Sequence, residues 1–437
     1  MALAQYAAVA FRGRVRMLAL GLMRILHTAD WHLGKLLMNR SRQAEHAAFL
    51  NWLLDTIRTE QVDALIVAGD IFDTGTPPNY ALELFFDFCA RLGDAGCQAV
   101  FTGGNHDSPA TLRAPSAMLR RLGITLIGDV PADLNDAVVQ LKDRSGAPGA
   151  LLCAIPFIRD GEARRSAPGE SYLEKQQNLY VGMRKIYADA AAKAEALRKE
   201  LGAAWVDRPI LGAGHLHCAG GPMTEDQRDI YVGSLGAFHA KDFPAVFDYV
   251  ALGHIHTAYS VDGSWRVRYS GTPFPLSFSE LETEKSVTLV ELDKAKEEPD
   301  IRLIPVPITQ DLELIRGDFE AIGKQLAACK PSIPGQRVWI EVQVTQSQPG
   351  VQSMIDTLVA DFPVDLLALR LVEQASASTL PLAGGQQQLD EIQPAEIFER
   401  RLATETILDP ELAETLRNLH AEVLQAVVRD DEAEVLE

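Results

Sequence analysis

Five predicted strands end directly in residues that can bind metal ions, and these strand ends constrain the fold more than any other feature. The run Leu65–Ala68 is continuously apolar, which is typical of a parallel strand that is buried on both faces. Because ligand sites in open α/β sheets collect at the carboxyl ends of strands, we expect the following Asp70 to lie in a shared site. The five segments are Asp30-Trp31-His32, Gly69-Asp70-Ile71-Phe72-Asp73, Gly104-Asn105-His106-Asp107, Gly214-His215 and Gly253-His254-Ile255-His256.

The length and cysteine usage are typical of a multidomain globular protein without disulfides. A chain of 437 residues predicts two or three domains, each with its own core. No uninterrupted apolar run reaches the roughly 18 to 20 residues that a membrane-spanning helix requires. The five cysteines are an odd number and form no C-x-x-C pair, which favours a reducing compartment over a disulfide scaffold or a zinc ribbon.

The net charge of −19 is unusual for a nucleic-acid binder, which normally presents a basic face. The charge is concentrated in residues 381–437, where fourteen Asp and Glu stand against four Arg. Part of the remaining negative charge lies on candidate metal ligands, whose charge bound cations would offset. The acidity therefore weakens a nucleic-acid function without excluding it, and the tail is expected to face a protein partner or solvent.

The chain alternates strands and helices from Met23 onward, and changes of pattern divide it into four parts. Residues 1–22 are expected to be a disordered extension or an upstream start. Residues 23–295 carry the five strand ends and predict a layered α/β core with two sheets. Residues 296–380 predict a smaller α+β domain without ligand-like side chains, and residues 381–437 predict an acidic helical tail.

Four helices and two hairpins are predicted within the core domain. Apolar residues recur at helical spacing over 42–61, 80–92, 108–122 and 172–201. The turn residues at 144–146 and at 262–263 each separate two strand-like runs, and they indicate hairpins.

The side chains at the strand ends suit a pair of divalent cations. Asp30 and His32 stand at i and i+2, and on an extended segment both point to the same side and can chelate one ion. His254 and His256 repeat this spacing, and they bind either one ion or two. Carboxylates and imidazoles without thiolates favour Mn²⁺, Fe²⁺ or Zn²⁺ over Mg²⁺ or Ca²⁺.

A bridging carboxylate would complete such a centre. Asp70 is placed to bridge the two ions, and Asn105 supplies a neutral oxygen. Two cations roughly 3.5 to 4 Å apart form a clamp for phosphoester hydrolysis, because they lower the pKa of a shared water and neutralise charge on the phosphate. His106 points away from Asn105, so we expect it to act as a general acid or to stabilise charge in the transition state. Asp107 is expected to orient the His106 ring.

Each segment taken singly has an ordinary structural explanation. A lone His is more often a core or capping residue, and Asp or Asn at a strand end is common turn chemistry. Six of the ten histidines, however, fall within or beside the five strand ends, and this coincidence favours the metal site. His27, His217 and His239 are predicted to be bystanders.

The five segments resemble the motifs of the calcineurin-like metallophosphoesterases. Within that family, Ile25–Lys35 and Tyr269–Phe278 are similar to the SbcD family, the nuclease subunits of bacterial SbcCD complexes, which are related to the Mre-type DNA-repair nucleases. The resemblance implies a four-layer α/β/β/α sandwich over residues 23–295. It extends more weakly towards the C-terminus, where family members carry an α+β capping domain.

The resemblance also implies which side chains hold each ion. One ion would be held by Asp30, His32, Asp70 and His256. The second would be held by Asp70, Asn105, His215 and His254. Two histidines compete in the segment 214–217, and we assign His215 because it follows the glycine directly at the strand end. His106 would be the histidine that stabilises the transition state.

The family further implies manganese-dependent cleavage of DNA: 3′→5′ exonuclease action on double-strand ends and endonuclease action on hairpins and single strands, in repair, recombination and replication. It implies a homodimer that binds a separate SbcC-like SMC-type ATPase as a heterotetramer, without membrane contact, in the cytoplasm at the nucleoid. The sequence agrees with a separate ATPase chain, since it contains no G-x-x-x-x-G-K-[ST] motif, the loop that binds nucleotide phosphates. The tail 381–437 is expected either to dock on the partner's coiled coil or to pack on itself.

Lysine and arginine side chains near the first motif and in the loop 157–166 are candidates for DNA phosphate contacts. They are Lys35, Arg40, Arg159, Arg164 and Arg165. Phosphate contacts carry no sequence information, so little sequence preference is expected. A small-molecule or cyclic-nucleotide phosphodiesterase stays open as an alternative, because fold and metals do not fix the substrate. An inactive scaffold subunit is the second alternative, and the complete ligand set counts against it.

Overall fold

The structure is a computed structural model that describes residues 22–164, 172–218, 238–293, 298–346 and 349–372. The predicted extension, apart from Leu22, lies outside the described residues, and so does the predicted tail 381–437. Within the described part of the chain, no helix is both long and apolar enough to cross a bilayer. All five cysteines are free thiols, in agreement with their odd number.

Six strands form the first sheet, and four adjacent strands of this sheet run parallel. In spatial order the strands are β14 (Asp300–Pro305), β13 (Ser286–Asp293), β1 (Leu22–Thr28), β4 (Ala64–Ala68), β5 (Gln98–Thr102) and β6 (Ile124–Ile127). Strands β1, β4, β5 and β6 are parallel, whereas β13 is antiparallel to both β1 and β14. Every residue of β4 is buried, which explains its continuous apolar sequence.

The second sheet also has six strands and a parallel centre. In spatial order they are β11 (Tyr259–Ser260), β12 (Val267–Tyr269), β10 (Phe247–Gly253), β9 (Ile210–His215), β8 (Pro148–Ala154) and β7 (Val138–Lys142). Strands β8, β9, β10 and β12 are parallel, and the two edge strands are antiparallel to their neighbours. Both predicted hairpins are present, as β7 with β8 and as β11 with β12.

Alternation of side chains along the strands builds three apolar layers. In β4, Leu65 and Val67 pack outward against α1 (Gln43–Thr59) and α2 (Asn79–Asp94), whereas Ile66 packs inward against the second sheet. The outer face of the second sheet packs against α6 (Tyr172–Glu200). The order of layers is therefore helices, sheet, sheet and helix, which confirms the predicted α/β/β/α sandwich.

The predicted helix over 108–122 is interrupted at Pro115. The structure has α3 (Pro109–Arg113), then α4 (Ser116–Leu119) and a 3₁₀ turn (Arg120–Leu122). A proline has no N–H to donate, and its ring clashes with the carbonyl four residues earlier, so the helix is interrupted at Pro115. The remaining short elements are β2 (Leu36–Leu37), β3 (Arg40–Ser41) and α5 (Asp160–Ala163).

A small three-stranded sheet follows the sandwich. Its elements are β15 (Leu312–Gly317), α7 (Phe319–Ala328), β16 (Val338–Val344), α8 (Val351–Val359) and β17 (Val364–Leu371). All three strands are parallel because each connection between them carries a crossover helix. Ile322 and Ile355 of the helices pack against Ile340 of the sheet.

The predicted domain boundary at residue 296 would assign β14 to the small domain, but in the structure β14 belongs to the first sheet. This strand pairs with β13 and extends the first sheet, so the small sheet starts later, at β15. A boundary at the charged break 294–299 is therefore one strand too early. It separates two strands of the same sheet.

Candidate metal centre

The seven predicted ligands meet where the strand ends of the two sheets face each other. In the first sheet, β1, β4 and β5 end just before Asp30, Asp70 and Asn105 respectively. In the second sheet, β9 ends at His215, and β10 ends just before His254. Asn105 is half-buried and the other six ligands are buried: Asp30, His32, Asp70, His215, His254 and His256.

Asp70 lies at the centre of the cluster. Its Oδ2 is 3.2 Å from His215 Nε2 and 3.6 Å from His32 Nε2. Its Oδ1 accepts a hydrogen bond of 2.9 Å from the backbone N–H of His106. The carboxylate therefore faces one histidine from each sheet, as the bridging position requires.

The other ligands form two groups beside Asp70. Ligand atoms of Asp30, His32 and His256 lie within 4.8 Å of one another, and we name these residues the Asp30 group. Asn105 Oδ1 lies 3.0 Å from His215 Nε2 and 3.1 Å from His254 Nδ1, and we name these three residues the Asn105 group. The two groups correspond to the two ligand sets that the family resemblance implies.

The histidines of the two groups are backed by different partners. Nδ1 of His32 lies 3.2 Å from Asp73 Oδ1, and Nδ1 of His256 lies 2.8 Å from Glu280 Oε1. Nδ1 of His215, in contrast, lies 2.8 Å from the backbone carbonyl of Ala68. A partner on Nδ1 fixes the orientation of the imidazole and leaves Nε2 for a metal ion.

Four ligands adopt left-handed backbone conformations. The φ angles are 54° at Asp30, 44° at His32, 48° at Asp70 and 98° at His254. Asp30 and His32 therefore do not lie on an extended segment as predicted, but their ligand atoms still face the same site, within 4.8 Å of each other. Residues other than Gly rarely adopt such angles, and they cluster at functional sites where the surrounding structure holds them.

Glycines next to the ligands allow neighbouring strand ends to approach closely, both within the first sheet and between the two sheets. A Cβ on Gly69 would lie 2.1 Å from His215 Nδ1, and one on Gly104 would lie 2.0 Å from Asp70 Oδ1. Gly69 also has a φ of 89°, which disfavours any other residue. Gly69 is therefore required both by contact and by its backbone conformation, and Gly104 is required by contact.

Burial and neighbouring charges perturb the carboxylates of the centre. Burial raises the pKa of Asp30 to about 7. Burial also opposes ionisation of Asp70, but the charge of His215 and its hydrogen bond hold the pKa of Asp70 below its ordinary value. Burial opposes protonation of His215, yet the charge of Asp70 raises the pKa of His215 to about 9. Bound cations would displace these protons and keep the carboxylates ionised.

The donor set fits divalent cations. Nε2 of His32 is buried, has no hydrogen-bond partner among the described residues, and faces Asp70. Burial lowers the pKa of His32, which favours the neutral imidazole that binds metals. The centre offers imidazole nitrogens and carboxylate or amide oxygens, the ligand types that suit Mn²⁺, Fe²⁺ and Zn²⁺.

The expected role of Asp107 in orienting His106 needs correction. The Asp107 carboxylate accepts hydrogen bonds from three backbone N–H groups, those of Ile71, Phe72 and Gly104. His106 Nδ1 instead lies 2.8 Å from the backbone carbonyl of Asp73. Asp107 therefore ties the second and third motif segments together, and Asp73 holds the exposed His106 ring.

The remaining histidines near the centre are placed as bystanders. His215, not His217, contacts Asp70, and the His217 ring lies 6.5 Å from that of His254. His27 is buried between the sheets, with Tyr249 Oη 3.0 Å and the Leu252 carbonyl 3.1 Å from its ring nitrogens. His239 contacts Asp262 at 3.3 Å, away from the five strand ends.

The candidate DNA-binding side chains are held by contacts of their own. Lys35 Nζ lies 3.4 Å from Asp73 Oδ1, and Arg40 lies 3.9 Å from Asp365 of the small sheet. Arg159 donates to the backbone carbonyl of Asp107, while its second terminal nitrogen is buried without a hydrogen-bond partner among the described residues. Arg164 pairs with Asp160, and Arg165 lies outside the described residues.

Comparison with known proteins agrees with this geometry. Residues 23–258 match the calcineurin-like phosphoesterase family, and residues 308–406 match a family described as the type 5 capsule protein repressor C-terminal domain, SbcD_C. The D subunit of nuclease SbcCD from Escherichia coli K12 is 39% identical over 94% of this chain and 100% of its own length. The protein of that name from Rhodobacter capsulatus is 34% identical over 86% of this chain and 93% of its own, and that from Bacillus subtilis is 36% identical over 63% and 68%.

The chain belongs to the SbcD family of calcineurin-like phosphoesterases. The resemblance stated from the sequence is thereby confirmed, and so is the interpretation of the chain as an enzyme, a metal-dependent phosphodiesterase of the nuclease type. The SbcD_C match begins just before β15 and extends beyond the last described residue.

Two residues that support the centre of this SbcD-family chain were not predicted from its sequence. Asp73 stands inside the second motif segment, three residues after Asp70, but the sequence analysis assigns it no role. Glu280 follows the SbcD-like stretch 269–278 and lies 24 residues beyond His256, the ring that it contacts. For Asp73 the repeated acidic residue was an available signal, whereas no local pattern connects Glu280 with His256.

Proposed function

We propose that this chain is a nuclease subunit that hydrolyses DNA phosphodiesters with two Mn²⁺ ions. Its actions are 3′→5′ exonuclease cleavage of double-strand ends and endonuclease cleavage of hairpins and single strands. The decisive support is the convergence of seven ligand residues from five strand ends, six of them grouped around the carboxylate of the seventh, Asp70. Similarity to nuclease subunits over their full length supports DNA, rather than a small phosphodiester, as the substrate.

The ligands would be shared between the ions as follows. One ion would be held by Asp70 and the Asp30 group, and the other by Asp70 and the Asn105 group. Bound there, the two cations supply Lewis-acid neutralisation of the phosphate and a water of lowered pKa. The buried carboxylates and the neutral His32 ring provide the oxygen and nitrogen donors that this requires.

In this proposal His106 acts on the substrate itself. It is exposed, and its ring lies 4.8 Å from that of His32, at the edge of the centre. Nδ1 is held by the Asp73 carbonyl, so Nε2 is the ring atom left for a phosphate or a leaving oxygen. From that position His106 would donate a proton to the leaving oxygen or stabilise the developing negative charge.

Basic side chains around the centre would hold the DNA backbone. Arg159 brings a buried guanidinium N–H with no partner among the described residues to the loop beside Asp107, and a phosphate oxygen is a suitable acceptor. Lys35 and Arg40 follow the first motif segment and would add contacts along the DNA strand. Contacts of this type bind phosphates regardless of sequence, so cleavage is expected to show little sequence preference.

The ATP-dependent step belongs to a second chain in this proposal. The relatives are named as the D subunit of nuclease SbcCD, which supports an SbcC-like SMC-type ATPase as the partner. Two copies of each chain would form a heterotetramer. The acidic segment 381–437, outside the described residues, remains the candidate for docking on the partner.

A substrate comparison tests this function. The purified chain is incubated with Mn²⁺, with and without the SMC-type ATPase, on hairpin DNA and on a chromogenic phosphodiester. We expect Mn²⁺-dependent cleavage of the DNA, and its loss in Asp70→Asn. Cleavage of the small ester alone, in both the presence and the absence of the ATPase, would contradict the proposal and favour a small-molecule phosphodiesterase.

A further inference from the structure

Glu280 is a buried carboxylate behind the metal centre. Its side chain is 2% exposed, and it stands in the 3₁₀ turn Phe278–Glu280 after β12. Its Oε1 lies 2.8 Å from His256 Nδ1, and a ligand atom of His256 lies within 4.8 Å of those of Asp30 and His32. A carboxylate in this position accepts a hydrogen bond from Nδ1–H and leaves the Nε2 lone pair for a cation.

The second oxygen of Glu280 is fixed by three donors. Oε2 lies 2.6 Å from Lys285 Nζ and accepts 3.2 Å hydrogen bonds from Thr272 Oγ1 and the backbone N–H of Leu276. Lys285 Nζ also donates to the carbonyl of His256 at 3.2 Å and to Thr272 Oγ1 at 2.7 Å. Glu280 and His256 are therefore linked through the ring, through the backbone and through one lysine, so neither side chain can turn alone.

The loop that carries this network is anchored on α1. Arg42 is 1% exposed, and its guanidinium forms a bidentate pair with Glu45. The same guanidinium donates to the carbonyl of Pro275 at 2.5 Å and lies 4.9 Å from the ring centre of Phe274. The position of Glu280 is therefore set by a buried contact with the first helix rather than by a surface turn.

We propose that Glu280 is a positioning residue that fixes His256 as the Nδ1–H tautomer, with Nε2 presented to the cation bound by the Asp30 group. This inference rests on the proposed metal centre and adds a residue to it. Glu280 does not touch the substrate or the cation. It acts through His256, and Lys285 and Thr272 hold it in place.

The tautomer of His256 in the metal-free wild-type protein is the first test. Long-range ¹H–¹⁵N spectra of protein labelled at histidine distinguish Nδ1–H from Nε2–H, and a His256→Gln variant assigns the signal. We expect the Nδ1–H form. An Nε2–H form in the metal-free protein would overturn the inference without any variant at Glu280.

Mn²⁺ titration of the metal-free protein is the second test, with Glu280→Gln as the variant. Glutamine keeps the size of the side chain and loses its charge, so we expect one of two Mn²⁺ affinities to fall by about 10- to 100-fold, the usual effect of removing such a supporting group. The other affinity is expected to stay unchanged. Two affinities equal to those of the wild type would overturn the role of Glu280.

Glu341→Gln is the matched control for this titration. Glu341 is also 2% exposed and pairs with a basic residue, Arg370, but it lies in the small sheet. We expect this variant to bind Mn²⁺ like the wild type, and an equal loss in both variants would count against a specific role of Glu280. A wild-type protein that binds no Mn²⁺ would instead overturn the proposed metal centre, so the two failures are distinguishable.

Discussion

The two groups of ligands are supported by different means. In the Asp30 group, both histidines are backed by carboxylates, Asp73 and Glu280, and each carboxylate is paired with a lysine. In the Asn105 group, His215 is backed by the backbone carbonyl of Ala68.

A carboxylate raises the basicity of the imidazole that it contacts, whereas a carbonyl in a strand mainly fixes its position. We therefore expect the Asp30 group to be sensitive to charge in side chains, and the Asn105 group to be sensitive to the placement of backbone. Gly69→Ala and Asp73→Asn separate these two kinds of support, and we expect their effects to lie between that of a change at Asp70 and that of a change at Lys35 and Arg40.

Asp70→Asn is expected to have the largest effect, because this carboxylate faces both groups. Loss of the shared ligand removes several kcal/mol of charge stabilisation, so DNA cleavage should fall by about 10³-fold or more. Both Mn²⁺ affinities should weaken in the same titration. A variant that loses only one Mn²⁺ affinity would show that Asp70 belongs to one group and does not bridge them.

Gly69→Ala tests the backbone support of the Asn105 group. The added Cβ would lie 2.1 Å from His215 Nδ1, in a residue with a φ of 89°, so either the ring or the strand end must move. A displacement of about 1 Å can reduce a catalytic rate by about 100-fold, and we expect a loss of that size in Mn²⁺-dependent cleavage.

Gly96→Ala is the matched control for this variant. Gly96 also has a positive φ, of 67°, and nothing lies within 4 Å of the position that an added Cβ would take, so only the backbone strain is shared. We expect near-normal cleavage from Gly96→Ala. Equal losses in the two variants would show that strain, and not contact with His215, determines the effect.

Asp73→Asn tests the carboxylate support of the Asp30 group. Asparagine can still accept the hydrogen bond from His32 Nδ1, but it carries no charge, so we expect one Mn²⁺ affinity to fall by about 10-fold. Asp262→Asn is the control, since Asp262 makes a similar contact with His239 away from the centre. If instead the Mn²⁺ affinity of the Asn105 group falls and that of the Asp30 group does not change, Asp73 supports the Asn105 group, contrary to our assignment.

The location of this centre could be predicted from the sequence, because it depends on strand ends. The buried run before Asp70 identified a central strand, and the carboxyl ends of parallel strands must meet at one edge of a sheet. The packing of the first sheet against α1 and α2 could also be predicted, from the helical spacing of apolar residues in these two segments. These features are local patterns, and one chain is enough to show them.

The fine geometry of the centre could not be predicted in the same way. The left-handed φ angles of Asp30 and His32 depend on contacts with the segment after β4, where their N–H groups donate to the carbonyls of Gly69 and Asp70. His106 contacts Asp73 and not Asp107 because of how the loops after β4 and β5 pack against each other. Glu280 reaches His256 only through the loop that Arg42 anchors, and no spacing in the sequence encodes that contact.

Lys35→Ala combined with Arg40→Ala is expected to have the smallest effect, because neither residue is a ligand of either group. If both contact phosphates, DNA affinity should fall uniformly across sequences, and the dependence of log affinity on log salt should weaken by about 1 for each contact. Lys35 also pairs with Asp73, so Mn²⁺ titration of the same variant separates an effect on DNA from an effect on the Asp30 group.

A control with the same change of charge completes this experiment. Arg58→Ala combined with Lys324→Ala removes one arginine and one lysine that are exposed and paired with acidic residues in helices. Equal salt dependence in the two double variants would show that general charge, and not the position of Lys35 and Arg40, governs DNA binding. A smaller slope in the first variant alone, with both Mn²⁺ affinities intact, would place the DNA backbone beside the first motif segment and leave the support of both ligand groups unchanged.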